Sequence, residues 1–331
     1  MHLYQNISKA KHKRKILLHS REVMEKTRGF ITIATGNESY YKMAANLLKS
    51  YRFYSDNNLP FAILSDKENE YTKLFDKTII LKKSDKTYLD KIELLNNIPF
   101  DETIFIEADC LIYGNLNNLF NDFNNVNGFS AMGRSLPIDT KEYCWFKLEE
   151  TGKYKNQIRY MQRFHSGIMW FNDKTVCEKA YEICKDVYEN YEQYNIGGNR
   201  EAMDDKLFAV SSAIMGSPMS SDTTIDGKMK MLIYPIMVAQ HAKPKVDFYK
   251  SKLQMNNIKG ERKDCLICHW ASFNTKKPLY KREVKVMELL GKNKKFRAKL
   301  CRKFYYFNYP IYYAKYVMFK VLRKIKRILS K

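Results

Sequence analysis

The sequence predicts an α/β fold built on a mostly parallel central sheet, and two patterns support this prediction. Short apolar runs rich in β-branched residues alternate with longer segments whose apolar residues recur every three to four positions. The apolar runs do not alternate with polar residues, which is typical of parallel strands covered on both faces. With 331 residues, 45% of them hydrophobic, the chain can bury one large core.

The first strand candidate is the run FITIA at residues 30–34, which ends in a Thr-Gly-Asn turn. The following segment places five apolar side chains on one helical face, namely Tyr40, Ala44, Leu47, Leu48 and Tyr51. Compact apolar runs at residues 61–64 and 78–81 predict two more strands, each buried on both faces. This succession of strand, turn and helix predicts parallel pairing.

The fourth strand candidate, TIFI at residues 103–106, ends abruptly at Glu107, Ala108 and Asp109. In open α/β sheets, ligands bind outside the carboxyl ends of the strands, so acidic residues at this point indicate a candidate site. Carboxylate oxygens are ligands that Mg²⁺ and Mn²⁺ accept. An isolated acidic pair at a strand end is also an ordinary solvated surface feature. Other segments of the sequence are therefore needed to distinguish a metal site from a solvated pair.

The rest of the predicted core contains a strand at residues 166–171, two helices, and strands at residues 231–235 and 265–270. The first of these helices has an apolar face made of Val176, Ala180, Ile183, Val187 and Tyr191, and the second begins near Glu201. Neither an internal repeat nor a long linker interrupts the pattern. We therefore expect one domain at residues 29–290, preceded by a basic polar leader at residues 1–28.

Most of the net charge of +22 lies in a C-terminal tail at residues 291–331, where fourteen Lys or Arg residues occur without any Asp or Glu. From Ala314 onward, helical spacing places apolar residues on one face: Val317, Met318, Val321, Leu322, Ile325 and Leu329. This basic helical tail, rich in aromatic residues, predicts attachment to an anionic membrane surface. A helix packed on the domain and a nucleic-acid contact are the alternatives.

The cysteines indicate the compartment, because seven scattered thiols, an odd number, suit buried cysteines in a reducing environment. No apolar signal region and no run of about 18 apolar residues is found. We therefore expect a cytoplasmic protein, peripheral on the inner face of the cell membrane. The run Cys265-Leu-Ile-Cys268-His269 matches the c-type haem attachment pattern, but it lies in an apolar strand and lacks an export signal.

The segment IFIEADCLIYGNLNNLF at residues 104–120 resembles the DxD region of family-8 glycosyltransferases, the group that contains glycogenin and bacterial lipooligosaccharide galactosyltransferases. Further segments resemble that family in the same order, over roughly residues 29–285. The resemblance implies a GT-A fold, in which a Rossmann-like, mostly parallel sheet flanked by helices holds a metal ion at a strand end. Glu107 stands where the family usually has Asp.

The resemblance also implies a set of residues that contact the donor. The segment FITIATGNESYY resembles the family's first strand and nucleotide-binding turn, and Lys91 resembles the lysine that precedes the metal motif. The implied nucleotide-sugar contacts are Ala34, Thr35, Tyr40 or Tyr41, Lys91, Glu107 and Ala108.

Two segments resemble the family's sugar pocket. In RFHSGIMWFN, Ser166 and Gly167 are expected to line the pocket, and His165 stands where Asn is usual. In GGNREAMDDKLF, the implied sugar-binding and catalytic acids are Asp204 and, second, Asp205, where the family often has Asp-Gln. An Asp pair early in a helix also favours the helix dipole, which is the structural alternative.

The segment CHWASFNTKKPLY resembles the family element that completes the metal shell. It implies that His269 joins Glu107 and Asp109 as a ligand of Mn²⁺ or Mg²⁺, and that Lys277 binds the diphosphate, with Lys276 as the alternative. Imidazole and carboxylates are compatible ligands for Mn²⁺, and an ammonium group supplies a point charge to phosphate.

The function implied is that of a hexosyltransferase, which moves galactose or glucose from a UDP-sugar to a glycan acceptor with retention. The expected acceptor is a lipid-linked surface glycan, such as lipopolysaccharide or capsule, and no nucleic-acid partner is expected. The alternatives are a non-catalytic nucleic-acid-binding basic protein and a sugar nucleotidyltransferase. The latter needs a Gly-rich phosphate loop, whereas this sequence has only the short Thr-Gly-Asn turn.

Overall fold

The structure is a computed structural model. It describes residues 26–55, 59–85, 88–117, 119–123, 126–142, 144, 146–192, 194, 204–215, 229–231, 245–247, 252–256, 262–265, 267–270, 275–276 and 278–301, and the helical positions 314, 318, 321, 322, 325 and 328.

The strands in these residues are β1 (Arg28–Ala34), β2 (Phe61–Ser65), β3 (Lys77–Ile80), β4 (Glu102–Ile106), β5 (Cys110–Ile112), β6 (Phe129–Leu136), β7 (Met161–Phe171), β8 (Met229–Met231), β9 (Lys245–Asp247), β10 (Lys252–Asn256), β11 (Arg262–Cys265) and β12 (Ile267–His269). The α-helices are α1 (Glu38–Tyr54), α2 (Leu119–Asp122), α3 (Lys174–Glu189), α4 (Asp204–Met215) and α5 (Pro278–Gly291). Short 3₁₀ helices cover Thr72–Leu74, Tyr88–Asn96 and Leu148–Gln157.

The central sheet has six strands in the order β3-β2-β1-β4-β7-β6. The first four are mutually parallel, and β7 and β6 add two antiparallel pairings. The predicted α/β class with a mostly parallel sheet flanked by helices is confirmed. The segment with helical spacing before β4 forms the 3₁₀ helix Tyr88–Asn96.

One prediction about burial is wrong. The run at residues 78–81 was expected to form a strand buried on both faces, but β3 is the edge strand of the sheet, and Ile80 is 44% exposed. Its apolar composition suits either environment, because a short apolar run does not reveal whether a second neighbour pairs with it.

Residues that alternate along the central strands enter two separate cores. Phe30, Ile104 and Ile106 pack on the face covered by α1, whereas Ile31 and Phe105 pack on the face covered by α3 and α4. Fully burying side chains of this size stabilises a fold by about 1.5–3 kcal/mol each. The two layers of helices therefore hold the strands firmly, and the loops at the carboxyl ends of the strands are carried on a rigid base.

Helix α1 begins directly after β1 because two local signals coincide. Gly36 adopts a positive φ of 75°, which turns the chain, and the Asn37 side chain accepts a hydrogen bond of 2.9 Å from the backbone N–H of Ser39. An N-terminal cap of this type stabilises a helix by about 1 kcal/mol. The turn between β1 and α1 is thereby held at the edge of the sheet where ligands bind in such folds.

A second, three-stranded sheet has the order β5-β12-β8, and a third has the order β11-β10-β9. The strand predicted at residues 265–270 is therefore two short strands in different sheets, and the one predicted at 231–235 is described only as β8, at Met229–Met231. The pairing of β12 with β5 sets His269 opposite Cys110, immediately beyond the acidic end of β4.

In the tail, the six described positions between 314 and 328 are helical. Five of them are large apolar residues with 46–65% of their surface exposed, namely Met318, Val321, Leu322, Ile325 and Ile328. Within the described residues, every helix is too short or too polar to cross a lipid bilayer.

Candidate active site

The acidic end of β4 is a tight turn that reverses the chain into β5. The backbone N–H of Cys110 donates to the carbonyl of Glu107 at 3.0 Å, and the N–H of Glu107 donates to the carbonyl of Gly167 on β7 at 3.1 Å. The turn brings the side chains of Glu107 and Asp109 together, as a shared cation site requires. Ala108, between them, is buried.

His269, on β12 of the second sheet, contacts both carboxylates, and Glu107, Asp109 and His269 together are called the metal corner below. Its Nε2 lies 3.0 Å from Oε2 of Glu107 and 2.9 Å from Oδ1 of Asp109. The register is held nearby, since the backbone N–H of Trp270 donates to the carbonyl of Asp109 at 3.1 Å. Three side chains predicted as metal ligands, two from the turn after β4 and one from β12, therefore meet at one point.

The bonding in this corner is incomplete without a further cation. A single Nε2 carries one hydrogen at most and cannot donate to both carboxylates. Among the described residues, Oδ1 of Asp109 is a buried atom that lacks a hydrogen bond, although Nε2 lies close by. One Nε2 hydrogen shared by two carboxylates leaves their charge incompletely compensated, and a divalent cation between the three atoms would satisfy both.

The spacing of these atoms also fits a metal ion. Ligand atoms at about 2.1 Å from an octahedral divalent cation lie about 3.0 Å from their nearest neighbours, which matches the distances around Nε2. Asp109, Cys110 and His269 also offer ligand atoms within 4.8 Å of one another. Cys110 was missed in the sequence, because it enters the group only through the pairing of β5 with β12.

The electrostatics of His269 reflect the same crowding of carboxylates. Burial alone would lower the pKa of the imidazole, but Asp109 and Glu107 outweigh burial and raise the pKa of His269 to about 10. A proton on His269 therefore balances part of the negative charge when no metal ion does so.

Lys91 lies beside this corner and connects it to helix α4. Its Nζ donates to Oε1 of Glu107 at 2.6 Å, to Oγ of Ser166 at 2.7 Å and to Oδ2 of Asp204 at 3.2 Å. Only 6% of its side chain is exposed, and its ammonium group lies over the Phe105 ring. The three hydrogens of the ammonium group thus have three acceptors.

The protonation states follow from these contacts. Burial would lower the pKa of Lys91, but the carboxylates of Glu107, Asp204 and Asp205 outweigh burial and raise the pKa well above its usual value. Burial raises the pKa of Asp204, with Lys91 acting in the opposite direction and Asp205 and Glu107 adding to the increase. Lys91 is therefore a permanent cation amid carboxylates.

Asp205 points to a different partner from Asp204. Its Oδ1 accepts hydrogen bonds from the backbone N–H of Ser166 at 3.0 Å and from the Ser166 hydroxyl at 2.5 Å. Both acids lie in the first turn of α4, where the helix dipole also favours negative charge. The two predicted catalytic acids thus approach the site through Lys91 and Ser166 respectively.

The predicted nucleotide turn lies at the end of β1. Ala34 and Tyr41 are buried and Thr35 is half-buried, whereas Tyr40 is 41% exposed and presents an accessible ring. The Tyr41 hydroxyl donates to Asp66, whose other oxygen accepts from the N–H of Gly36 at 3.3 Å. Burial, and then Asp66, raise the pKa of Tyr41.

Asp66 was not selected from the sequence, although a signal was present. It follows directly after β2, the parallel neighbour of β1, so the rule that picked out Glu107 and Asp109 at the end of β4 applies equally to it. Two other predictions lie outside the described residues, namely Lys277 and the side chain of His165; Lys276 is described and exposed.

Comparison with known proteins yields a similarity to solved structures only. No family model matches the chain, and no curated protein matches it. The galactosyltransferase LgtC, solved with donor and acceptor sugar analogs, is 13% identical with a TM-score of 0.43, over 74% of this chain and 87% of LgtC. Mouse xyloside xylosyltransferase 1 is 12% identical with a TM-score of 0.41, over 73% of this chain and 96% of its own.

The glycosyltransferase GlyE of Streptococcus pneumoniae is 13% identical with a TM-score of 0.37, over 55% of this chain. The chain spans less than half of GlyE, 43% of its length. All three are described as glycosyltransferases or as a galactosyltransferase or xylosyltransferase, and at 12–13% identity the likeness concerns the fold alone.

Proposed function

We propose that the protein is a metal-dependent glycosyltransferase that moves a hexosyl unit, galactose or glucose, from a UDP-sugar to a glycan acceptor. The observation that carries this proposal is the convergence of His269, Glu107 and Asp109 at the carboxyl end of β4, with Asp109 Oδ1 buried and lacking a hydrogen bond among the described residues. In a metal-dependent nucleotide-sugar site, such a cation stabilises the charge of the departing diphosphate.

Glu107, Asp109 and His269 would hold Mn²⁺ or Mg²⁺, which when bound supplies positive charge to the leaving diphosphate. The rest of the chemistry falls to this chain's own side chains. Tyr40 offers an accessible ring to the base, and Asp204 accepts a hydrogen bond of 3.2 Å from Lys91, which also donates to Glu107. We assign Asp204 to orienting the sugar hydroxyls, because a carboxylate accepts hydrogen bonds from two of them.

The charge of the site supports a cationic cofactor. Four carboxylates, Glu107, Asp109, Asp204 and Asp205, surround Lys91 and His269. If His269 gives up its proton to bind a metal ion, the protein side of the site carries a net charge of about −3. A divalent ion reduces that excess to about −1, which weakens the repulsion of a negatively charged diphosphate.

We further propose that transfer retains the anomeric configuration, as the family resemblance implies, and that the acceptor is carried on a lipid. The tail supports the second part. Its five exposed apolar positions recur every three or four residues, and the sequence places Lys or Arg between them. Phe296, 73% exposed and flanked by Lys295 and Arg297, has the same combination of an exposed apolar side chain and neighbouring cations. Such a helix suits the cytoplasmic face of an anionic membrane.

The proposal is tested by thermal denaturation of the full chain with a panel of nucleotide-sugars, with and without Mn²⁺. We expect one UDP-sugar to raise the melting temperature only when Mn²⁺ is present, because ligands that bind the native state stabilise it. Asp109→Ala should abolish this response and the Mn²⁺-dependent release of UDP. Asp139→Ala, which removes an exposed acid, is the matched control and should retain both.

Two outcomes would contradict the proposal. An Asp109→Ala variant that folds and keeps full Mn²⁺-dependent activity would show that the metal corner does not bind the metal ion used in the reaction. Salt-sensitive binding to DNA or RNA, combined with no response to any nucleotide-sugar, would favour a nucleic-acid-binding protein instead.

A further inference from the structure

We infer that Asp205 is a positioning residue that acts on the donor site through Ser166 and Lys91, and that it does not touch the donor sugar itself. The inference rests on the proposed function, since it assigns a role within the same site. It departs from the sequence-based interpretation, in which Asp205 stands beside Asp204 as a second catalytic acid.

The first observation is the direction of the hydrogen bonds at Ser166. The Ser166 hydroxyl has one hydrogen, and it lies 2.5 Å from Oδ1 of Asp205, an acceptor. Lys91 Nζ, which can only donate, lies 2.7 Å from the same hydroxyl oxygen. The hydroxyl therefore donates to Asp205 and accepts from Lys91, and Asp205 determines which way its lone pairs point.

The second observation is that Lys91 has no spare hydrogen. Its other two donors go to Glu107 at 2.6 Å and Asp204 at 3.2 Å. If Ser166 stopped accepting, the ammonium group would have to reorient, and both carboxylates would lose their fixed donor. Asp205 thereby controls the relative placement of a proposed metal ligand and the proposed sugar-binding acid.

The third observation is where the four groups come from. Asp205 lies in α4, Ser166 on β7, Lys91 in the 3₁₀ helix Tyr88–Asn96 and Glu107 after β4. The backbone N–H of Ser166 also donates to Oδ1 of Asp205, at 3.0 Å, so this carboxylate is tied to the strand as well as to the hydroxyl. Consecutive helical residues point about 100° apart, which allows Asp204 and Asp205 to serve different partners.

The test compares Asp205→Asn with Asp205→Ala. An Asn side chain keeps a carbonyl oxygen that can accept both hydrogen bonds from Ser166, whereas Ala keeps none. We expect Asp205→Asn to lower kcat by less than about fivefold and Asp205→Ala to lower it by about 30-fold or more, since misplacing a reacting group is costly. The dissociation constant for UDP with Mn²⁺ should stay within about twofold of wild type in Asp205→Asn and should rise in Asp205→Ala, because only the second change releases Glu107 from its fixed donor.

A double-mutant cycle with Ser166→Ala adds a second measurement. If Asp205 acts through Ser166, the double variant Asp205→Ala/Ser166→Ala should be about as slow as Ser166→Ala alone, because the two changes remove one interaction. Losses that multiply would overturn the inference. So would an Asp205→Asn variant as inactive as Asp205→Ala, which is the behaviour of an acid that reacts with the sugar.

The free energy of unfolding by urea is measured for the same set of variants, and this measurement needs no substrate. The Asp205–Ser166 contact predicts non-additive stability changes, and additive changes would contradict it. A folded wild-type chain that lacks both transfer and Mn²⁺-dependent UDP binding would contradict the proposed function, while the unfolding cycle would still decide on the contact.

Discussion

Two regions of the molecule reverse the usual distribution of polar and apolar side chains. At the carboxyl end of β4, charged groups are buried: Lys91 and His269 are each about 95% buried among carboxylates. Along the C-terminal tail, large apolar side chains at five described positions are 46–65% exposed. Buried charges and contiguous exposed apolar residues are the informative exceptions in a folded protein.

The difference between the two regions lies in what completes them. The buried site has internal partners for nearly every charged atom, and the described exception, Oδ1 of Asp109, calls for a cation. The apolar residues at the described positions of the tail are 46–65% exposed to solvent, and the basic composition of the tail suits an anionic lipid surface. Substitutions in the first region should therefore lower both stability and activity, whereas substitutions in the second should change only the location of the protein.

The largest effect is expected for Lys91→Ala. Removing one partner of a buried ion pair leaves carboxylates uncompensated and destabilises a protein by about 3–5 kcal/mol. The matched control is Lys153→Ala, because Lys153 also pairs with an acid, Asp186 at 2.8 Å, but its side chain is 60% exposed. An exposed pair of that kind contributes about 1 kcal/mol at most.

Urea denaturation of both variants measures the contrast. If Lys91→Ala and Lys153→Ala lost similar stability, the buried network would contribute nothing beyond an ordinary surface pair. If Lys91→Ala were also to keep its full activity, the link between the metal corner and Asp204 would be irrelevant to the chemistry.

The next effect concerns His269. Because its pKa is raised to about 10, His269 carries a proton at neutral pH in the protein without a metal ion, and a metal ligand must be deprotonated. Mn²⁺ binding should therefore release about one proton, and the apparent affinity should rise with pH until the pH passes that pKa.

Calorimetry in buffers of different ionisation enthalpy measures this release directly. His269→Asn should release no proton and bind Mn²⁺ at least about tenfold more weakly. Mn²⁺ affinity independent of pH between 6 and 8 in the wild type would contradict the assignment of His269 as a ligand.

Sequence patterns predicted the fold class and the position of the acidic corner for physical reasons that are local. Consecutive apolar residues specify a buried strand, and Glu107 and Asp109 follow one directly, so both could be recognised within a few residues. The edge position of β3 was not predictable, because a strand becomes an edge strand when the rest of the chain supplies a partner on one side only, and its own residues do not determine this.

The rest of the site depends on contacts between distant segments. His269 joins the corner through the pairing of β12 with β5, and Lys91 reaches Ser166, 75 residues further along the chain. The resemblance to a family supplied the candidates, but not the separation of Asp204 and Asp205 onto different partners. Asp66 had a local signal after β2 and could have been selected by the same rule as Asp109.

An effect on location, and not on stability or chemistry, is expected for the tail. The double variant Val321→Asp/Ile325→Asp places charges on the exposed apolar face and should lower partitioning onto anionic vesicles by about a hundredfold, since each side chain contributes about 1.5 kcal/mol of apolar burial. Stability and turnover on a water-soluble acceptor should not change. Ala314→Asp is the matched control, because it adds a charge at an exposed helical position and removes little apolar surface.

Vesicle sedimentation measures this partitioning. Equal losses for the double variant and for Ala314→Asp would mean that charge alone, and not the apolar face, holds the tail at the surface. If the double variant sedimented with vesicles as well as the wild type, the proposal that this apolar face binds the membrane would be contradicted.

The smallest effect is expected for Tyr40→Ala. Tyr40 combines features of both regions, because it lies near buried residues and is itself an exposed aromatic residue. It lies just after the turn between β1 and α1, where it is 41% exposed, and Phe53 near the other end of the same helix is also 41% exposed. If Tyr40 stacks on the base, Tyr40→Ala should raise KM for the nucleotide-sugar about fivefold to tenfold with kcat nearly unchanged, because stacking on an aromatic ring contributes about 1–3 kcal/mol. Phe53→Ala removes an equally exposed ring from α1 but should leave KM unchanged. Equal changes in KM for the two variants would show that the loss arises from the helix as a whole, and exposure of the Tyr40 ring would then have no bearing on the donor.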